Sequence, residues 1–361
     1  MEIKTPTLLI DKEKCIRNID RMVSKSVKAG ASLRPHFKTH FSGEIGNWFK
    51  EKGVKQCTVS SVSMAQYFAS HGWDDITIAF PYNTLESNEI NALAQNIKLN
   101  ILIESTESME HASKSIKEKI GYFIKIDVGT HRTGVDPRNE TLINQLIADS
   151  SEKIQFKGFL AHAGHTYGCR DLDSIKWIFD GSVKILTELK KKFGGIISYG
   201  DTPSCSLMDD LSFCDEMRPG NFVFYDWMQH QIGSCSLNEI AVCLACPVVA
   251  IHKERNEVVV YGGAVHLSKE SMIEKDVRGK DKHCFGKLVK LTEDGWSAEI
   301  LGNVERLSQE HGIIKLSSEE VARVKVGDLI GVIPVHSCLT ADLQGHYLST
   351  SGEKIEKMTK N

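Results

Sequence analysis

The sequence predicts an α/β fold: an N-terminal (β/α)8 TIM-like barrel over residues 1–235, then a C-terminal all-β domain over residues 236–361. Three observations predict it. In the first two thirds of the chain, short apolar runs alternate with stretches whose apolar residues recur at helical spacing, the pattern of parallel strands joined by crossover helices. Eight such runs are present, the number that closes a barrel. After about residue 235 the long helical patterns stop, and short β-rich segments joined by Gly and Asp turns replace them.

The predicted strands, in order, are residues 32–38 (SLRPHFK), 56–61 (QCTVSS), 76–80 (ITIAF), 100–105 (NILIES), 122–129 (YFIKIDVG), 156–164 (FKGFLAHAG), 196–200 (IISYG) and 221–226 (NFVFYD). Between them lie helical patterns such as KCIRNIDRMVSKSVKAG, whose apolar residues at 16, 19, 22, 23 and 27 share one face. Others are SMAQYFASHG, LESNEINALAQN and DSIKWIFDGSVKILTELKKKFG. The competing α/β arrangement, a doubly wound open sheet, calls for a Gly-rich phosphate turn directly after the first strand. Here that strand runs instead into His36-Phe37-Lys38-Thr39-His40. The second domain is read from NEVVVYGGAVHLS, FGKLVKL, WSAEILGNVERLSQEHGIIKL and VKVGDLIGVIPVHSC.

A chain of 361 residues exceeds the size at which one core keeps growing, which favours two domains. Hydrophobic (41%) and charged (25%) fractions are those of an ordinary globular protein, so a full core is affordable. A net charge of −3 argues against nucleic acid or an anionic membrane as partner. No window reaches the length of a membrane span, and MEIKTPTLLIDKEK lacks the apolar core of a secretory signal. Ten cysteines in such a chain read as reduced thiols in a cytoplasmic protein. Cys243 and Cys246 form a CxxC, but inside the apolar run IAVCLACPVVAI they read as strand residues rather than a redox or metal pair.

The chemistry-bearing residues cluster at strand ends, which is where a (β/α)8 barrel builds its active site. Lys38 closes the first predicted strand, flanked by His36 and His40. Partly desolvated there, its amine would have a lowered pKa and could condense with an aldehyde; the alternative is a solvated loop lysine. Arg132, past the fifth strand, offers a planar fork for an anionic oxygen, or a salt bridge to Asp136. His162, His165 and Tyr167 crowd the end of the sixth strand and suit acid–base work or ring contacts, with at least one histidine expected as a hydrogen-bonded core residue. Gly200-Asp201-Thr202-Pro203 and Pro219-Gly220-Asn221 accompany the seventh and eighth strands, the usual phosphate cradle of this fold; an ionised Asp201 would have to point away from it. His336 and Cys338 stand two apart in PVHSCLTADL; if extended, they share one face, and imidazole plus thiolate suits zinc.

Taken in order, TPTLLID, PHFKTH, DVGTHRTGV, AHAGHTY, GDTPS, RPGNFVFYD and PVHSCLTA resemble the family that contains D-serine dehydratase and metal-dependent D-threonine aldolase, built on the alanine-racemase-type barrel of fold type III pyridoxal-phosphate enzymes. The resemblance runs over nearly the whole chain. It implies that Lys38 holds pyridoxal 5'-phosphate as a Schiff base and moves the α-proton. It places Arg132 by the cofactor's 3'-oxygen, Tyr167 near its ring, and Gly200, Asp201, Thr202, Gly220 and Asn221 in or beside the phosphate cup. His336 and Cys338 match the dehydratase-type Zn2+ pair; the aldolases are expected to carry Asp in place of the Cys. YGGAVHLSKE departs from the Asp-Ala-Gly segment expected of typical dehydratases, which leaves the identity of the substrate open.

The activity so implied is elimination from a small D-3-hydroxy amino acid to a 2-oxo acid and ammonia. Retro-aldol cleavage to glycine and an aldehyde, with His165 as base, is the second reading, and an amino-acid racemase the third. A non-catalytic pyridoxal-phosphate carrier would lack the β-domain, and a cofactor-free barrel enzyme would lack a reason for the motifs. The resemblance also implies a homodimer.

Overall fold

Eight short parallel strands form one sheet in the computed structural model, which describes residues 2–275 and 279–359. The last two residues of the predicted second domain and positions 276–278 lie outside the described residues. The chain divides into two compact units. One holds residues 19–38 and 45–222; the other holds 1–18, 39–44 and 223–361.

The strand Thr7–Ile10 (β1) belongs to the second unit. The first unit's strands are β2 (Ser32–Leu33), β3 (Cys57–Val59), β4 (Asp75–Pro81), β5 (Lys98–Ile103), β6 (Ile120–Ile126), β7 (Ile154–Ala161), β8 (Ile196–Tyr199) and β9 (Glu216–Met217). Their order in the sheet is β2-β9-β8-β7-β6-β5-β4-β3, every pairing parallel. An isolated parallel bridge between His36 and Thr58 brings the two edges together, so the barrel is nearly closed. The four helical patterns are present as Lys12–Lys28, Val62–Ser70, Ser87–Ala94 and Leu172–Phe193. Several begin at a Ser or Asp whose side chain accepts a free N–H of the first turn: Ser61 from Met64, Asp171 from Ser174, Asp201 from Ser204.

Two predicted strands are corrected. The first, expected over 32–38, ends at Leu33 and gives way to a 3-10 turn at Phe37–Thr39. Pro35 has no N–H for a ladder, and its carbonyl instead accepts from Thr58 N. The eighth, expected over 221–226, is Glu216–Met217, and Asn221–Val223 is a 3-10 turn. A buried charge hid the true strand: Glu216 accepts from Arg34 Nε at 2.9 Å and Ser198 Oγ at 2.8 Å. Arg34, 2% exposed, also pairs with Asp75 at 2.7 Å and reaches Gln56 Oε1 at 2.9 Å, so a network of fixed charges fastens β2, β9 and β4 near their starts. Gly158 in β7 lies so close to β8 that a Cβ would stand 1.9 Å from Ile196 O, and only glycine fits there.

The second unit takes in the β-rich region expected over 236–361 together with residues 1–18, 39–44 and 223–235. Among the described residues, nine strands form its main sheet. The 11-residue strand Val242–His252 pairs with Leu329–Pro334 on one side and β1 on the other, then bends at a bulge between Val248 and Ala250 to pair with Glu257–Tyr261. That last pairing closes a six-stranded ring through 311–315, 302–307 and 286–289. Cys243 and Cys246 lie buried in the long strand as free thiols, as the sequence predicts. No helix among the described residues is long and apolar enough to cross a membrane.

Candidate active site

At the barrel mouth, Lys38 rides on the 3-10 turn beyond β2. Its side chain is exposed, and it lies on a turn rather than at a strand's last position because β2 stops at Leu33. Its charge still acts on its neighbours. Burial, then the Lys38 ammonium, hold half-buried His36 well below the ordinary imidazole range. The loop after β9 lies beside this turn, since His36 N donates to Pro219 O at 3.0 Å.

His162 follows β7, and its Nδ1 makes a 2.7 Å bond to Gly200 O; because a carbonyl only accepts, Nδ1 carries the proton and Nε2 is left as an acceptor. Burial pushes His162 down to about 3, the Gly200 bond opposing and the Lys38 and Arg218 charges adding to it. This is the hydrogen-bonded histidine expected in the motif. His165, half-buried, has Nδ1 3.1 Å from Thr130 Oγ1, and the same hydroxyl donates to His162 O and accepts from Gly164 N, tying the loops after β6 and β7 together. Burial lowers His165. Tyr167 reaches the next loop: Thr202 N donates to its hydroxyl at 3.4 Å.

Asp201 caps the helix Thr202–Leu207. Its Oδ1 accepts from Ser204 N at 2.7 Å and Thr166 Oγ1 at 3.0 Å, and burial pushes it above the usual carboxylate range. Gly200 is required by close packing, since a Cβ would lie 2.6 Å from the backbone of Arg218. Thr202 is buried, and among the described residues its Oγ1 has no hydrogen-bond partner. Gly220 and Asn221 are buried at the turn after β9. Arg132 is exposed on the loop after β6; Asp136, its alternative partner, pairs instead with Arg138 at 2.6 Å.

In the second unit, His336 and Cys338 are brought together, but not in the extended form the sequence predicts. His336 is the N-cap of the helix Ser337–Leu343, and Cys338 lies in its first turn. Burial works against charge on His336, but Cys338, then Asp226 and Glu270, outweigh it and raise the imidazole to about 9. The converse holds for Cys338: burial raises its thiol, and the His336 charge lowers it on balance. Each group thus favours the charged form of the other. Thr39 Oγ1 stands 3.3 Å from Cys338 Sγ. Among the described residues no set of three or more His, Cys, Asp or Glu side chains is placed to hold a metal.

Three functional candidates escaped sequence reasoning. Lys125, 6% exposed within β6, is lowered to about 8 by burial. Arg218, 4% exposed, crosses under the mouth with Nη2 donating to Ala161 O at 2.6 Å and Ser198 O at 3.2 Å. Asp226, wholly buried, accepts from Gln229 N through Oδ1 and from Ser337 N and Oγ through Oδ2. A lysine flanked by strand residues in YFIKI was the available signal for the first; the others depend on distant partners.

Residues 241–350 match the family model described as "Putative serine dehydratase domain", and residues 10–226 match "Alanine racemase, N-terminal domain". The D-serine dehydratase of Dictyostelium discoideum is 29% identical over 96% of this chain and 93% of its own length. The D-threo-3-hydroxyaspartate dehydratase of Delftia sp. HT23 is 24% identical over 94% of this chain and 92% of its own; its solved structure superposes with a TM-score of 0.89 over 99% and 98% of the two chains, at 22% identity. A solved D-threonine aldolase from Filomicrobium marinum reaches a TM-score of 0.81 at 19% identity, over 98% and 94%. One model alone spans more than half of the residues, and so the chain belongs to the alanine racemase N-terminal domain family.

Proposed function

We propose that this protein is a pyridoxal-phosphate- and zinc-dependent lyase that eliminates water from a small D-3-hydroxy amino acid, D-serine or a close analogue, giving a 2-oxo acid and ammonia. The observation that carries the reading is the placing of the His336 imidazole and the Cys338 thiol together at the start of the helix Ser337–Leu343. An imidazole and a thiol suit a zinc ion that keeps positions open for substrate, and among the described residues no third His, Cys, Asp or Glu is placed to join them. Solved variants of the Delftia dehydratase replace a histidine and a cysteine two positions apart, and the cysteine variant is described as metal-free, which supports the same assignment here.

The barrel mouth fits the phosphate cofactor. A buried hydroxyl at Thr202 has no hydrogen-bond partner among the described residues, Asp201 Oδ1 is engaged by Ser204 N, and Gly220 and Asn221 lie on the turn after β9. Lys38 would hold the aldehyde, Arg132 the 3'-oxygen, and Tyr167 the ring edge, from its place beside Thr202. Bound there, pyridoxal phosphate supplies the electron sink for charge at Cα. Bound at His336 and Cys338, zinc supplies the Lewis acid for the leaving β-hydroxyl.

The chain's own residues do the rest. Lys38 Nζ takes the proton from Cα. His162, neutral at working pH, offers Nε2 only as an acceptor. Released enamine hydrolyses to the 2-oxo acid and ammonia, consuming the water that elimination released.

The test is to incubate the purified protein with D-serine, D-threonine and D-threo-3-hydroxyaspartate, with and without chelator, and identify the products. A 2-oxo acid and ammonia, lost on chelation and restored by zinc, is the expected result. Glycine would overturn elimination in favour of retro-aldol cleavage. Appearance of the L-enantiomer, insensitive to chelation, would make the protein a racemase.

A further inference from the structure

We infer that the C-terminal tail, through Lys357, is a positioning element for the Cys338 side chain and for the turn that follows Lys38. The inference rests on the reading of Cys338 as a zinc ligand.

The helix that carries Cys338 has seven residues, Ser337–Leu343, and so few turns give it little stability of its own. Its last carbonyls lack intrahelical partners. Lys357, 9% exposed, serves two of them: Nζ donates to Asp342 O at 3.0 Å and, beside Gln344 N and Tyr347 OH, to Ala341 O at 2.7 Å. A cation at that end also meets the negative pole of the helix. At the opposite end Asp226 accepts from Ser337 N and Oγ. The short helix is thus clamped between an anion at its start and a cation at its end.

The same ammonium holds a second segment. It stands 5.2 Å from the ring centroid of Phe41 and 5.8 Å from that of Tyr347, within cation–π range. Phe41 has φ +49°, a left-handed conformation that a side chain disfavours and that surrounding contacts must maintain. Those contacts come from the tail and its partner strand. Met358 N donates to Phe41 O at 2.7 Å, Ser42 Oγ to Glu356 O at 2.6 Å, and Tyr347 OH to His40 O at 2.7 Å. The tail itself is anchored by the antiparallel pairing of Lys354–Glu356 with His346–Leu348. Thr39, at the start of the clasped turn, faces Cys338 Sγ across 3.3 Å. One buried cation therefore sets the distance between the turn and the helix that carries Cys338.

Lys357→Met keeps the length and apolar stem of the side chain and removes the charge; Lys357→Arg restores a cation. Zinc affinity is read by competition with a chromophoric chelator on the cofactor-loaded protein, alongside the visible cofactor absorbance and kcat and KM for the substrate. The expected result is zinc binding about 10-fold weaker in Lys357→Met, a fall in kcat larger than the rise in KM, unchanged cofactor absorbance, and partial recovery in Lys357→Arg. Zinc affinity and kcat within about twofold of the parent would overturn the inference while leaving the zinc reading intact. Failure of the parent to bind zinc, or equal binding by Cys338→Ala, would overturn the zinc reading and this inference with it. Should Lys357→Met not fold, Tyr347→Phe, which removes the hydroxyl's bonds to His40 O at 2.7 Å and Ala341 O at 3.4 Å and keeps the ring, is expected to show the same pattern at smaller size, and parent-like zinc affinity there would refute the clamp.

Discussion

Thr202→Val separates the cofactor's needs from those of the fold. The Thr202 hydroxyl is buried and has no hydrogen-bond partner among the described residues, so the apoprotein bears a desolvation cost of about 1–3 kcal/mol. Valine has nearly the same shape without that cost, and should stabilise the apoprotein by about 1–2 kcal/mol. With phosphate bound, the sign reverses. A hydrogen bond to a charged oxygen is worth about 1.5–3 kcal/mol, so its loss should weaken pyridoxal phosphate binding by about 10-fold to 100-fold. The Thr202 N–H is unchanged by the substitution, which confines the loss to one bond. The assays are urea unfolding of the apoprotein and equilibrium titration with pyridoxal phosphate. A variant whose apoprotein is less stable than the parent's, with cofactor affinity unaltered, would show that the hydroxyl serves the fold and would remove it from the phosphate site.

Lys38→Ala should abolish the visible absorbance of the bound cofactor and all turnover, and borohydride should leave the peptide around position 38 unlabelled; a spectrum like the parent's would end the cofactor assignment. Cys338→Ala should cut elimination from D-serine by about 100-fold, as loss of a Lewis acid's anchor implies, with cofactor affinity little changed, and equal activity would sink the metal assignment. Lys125→Met tests the buried lysine by pH. Burial holds Lys125 at about 8 instead of 10.5, so below about pH 8 the ammonium is charged both folded and unfolded and its burial destabilises the fold by roughly 3 kcal/mol. Between there and about pH 10.5 the unfolded chain binds more protons, and stability climbs with pH. The methionine variant should therefore be more stable at neutral pH and lose that advantage by about pH 10.5; a gain that ignores pH would contradict the burial argument.

The barrel was legible because its strands are apolar and its helices amphipathic, and because Ser and Asp mark where helices begin. What misled the reading of strand ends was polarity placed for other reasons. Glu216 looked unlike a strand residue, yet it is balanced by Arg34, 182 positions away in sequence. NFVFYD looked like a strand because each of its residues is buried, and a fully buried short run has no period to read. β1 was overlooked for a different cause: TLLI is short, and its partners in the sheet, Val242–His252 and His346–Ser349, come from the far end of the chain.

Residue type at a strand end exposed the candidate site, but it did not expose what holds the site in shape. His336 and Cys338 stand out because imidazole and thiol two apart are uncommon, and that remains true whether the backbone is extended or, as here, turns into a helix. Asp226 and Lys357 gave no such sign. An aspartate before a helix reads as an ordinary cap, which it is for Gln229; its second oxygen caps a helix that begins 111 residues later. A lysine near the end of a chain reads as a solvated one, and only the fold shows it buried on two carbonyls and two rings. A ligand must be a particular chemical type, so the sequence announces it. A support need only be a charge of the right sign in the right place, and many residues meet that description until the chain has folded.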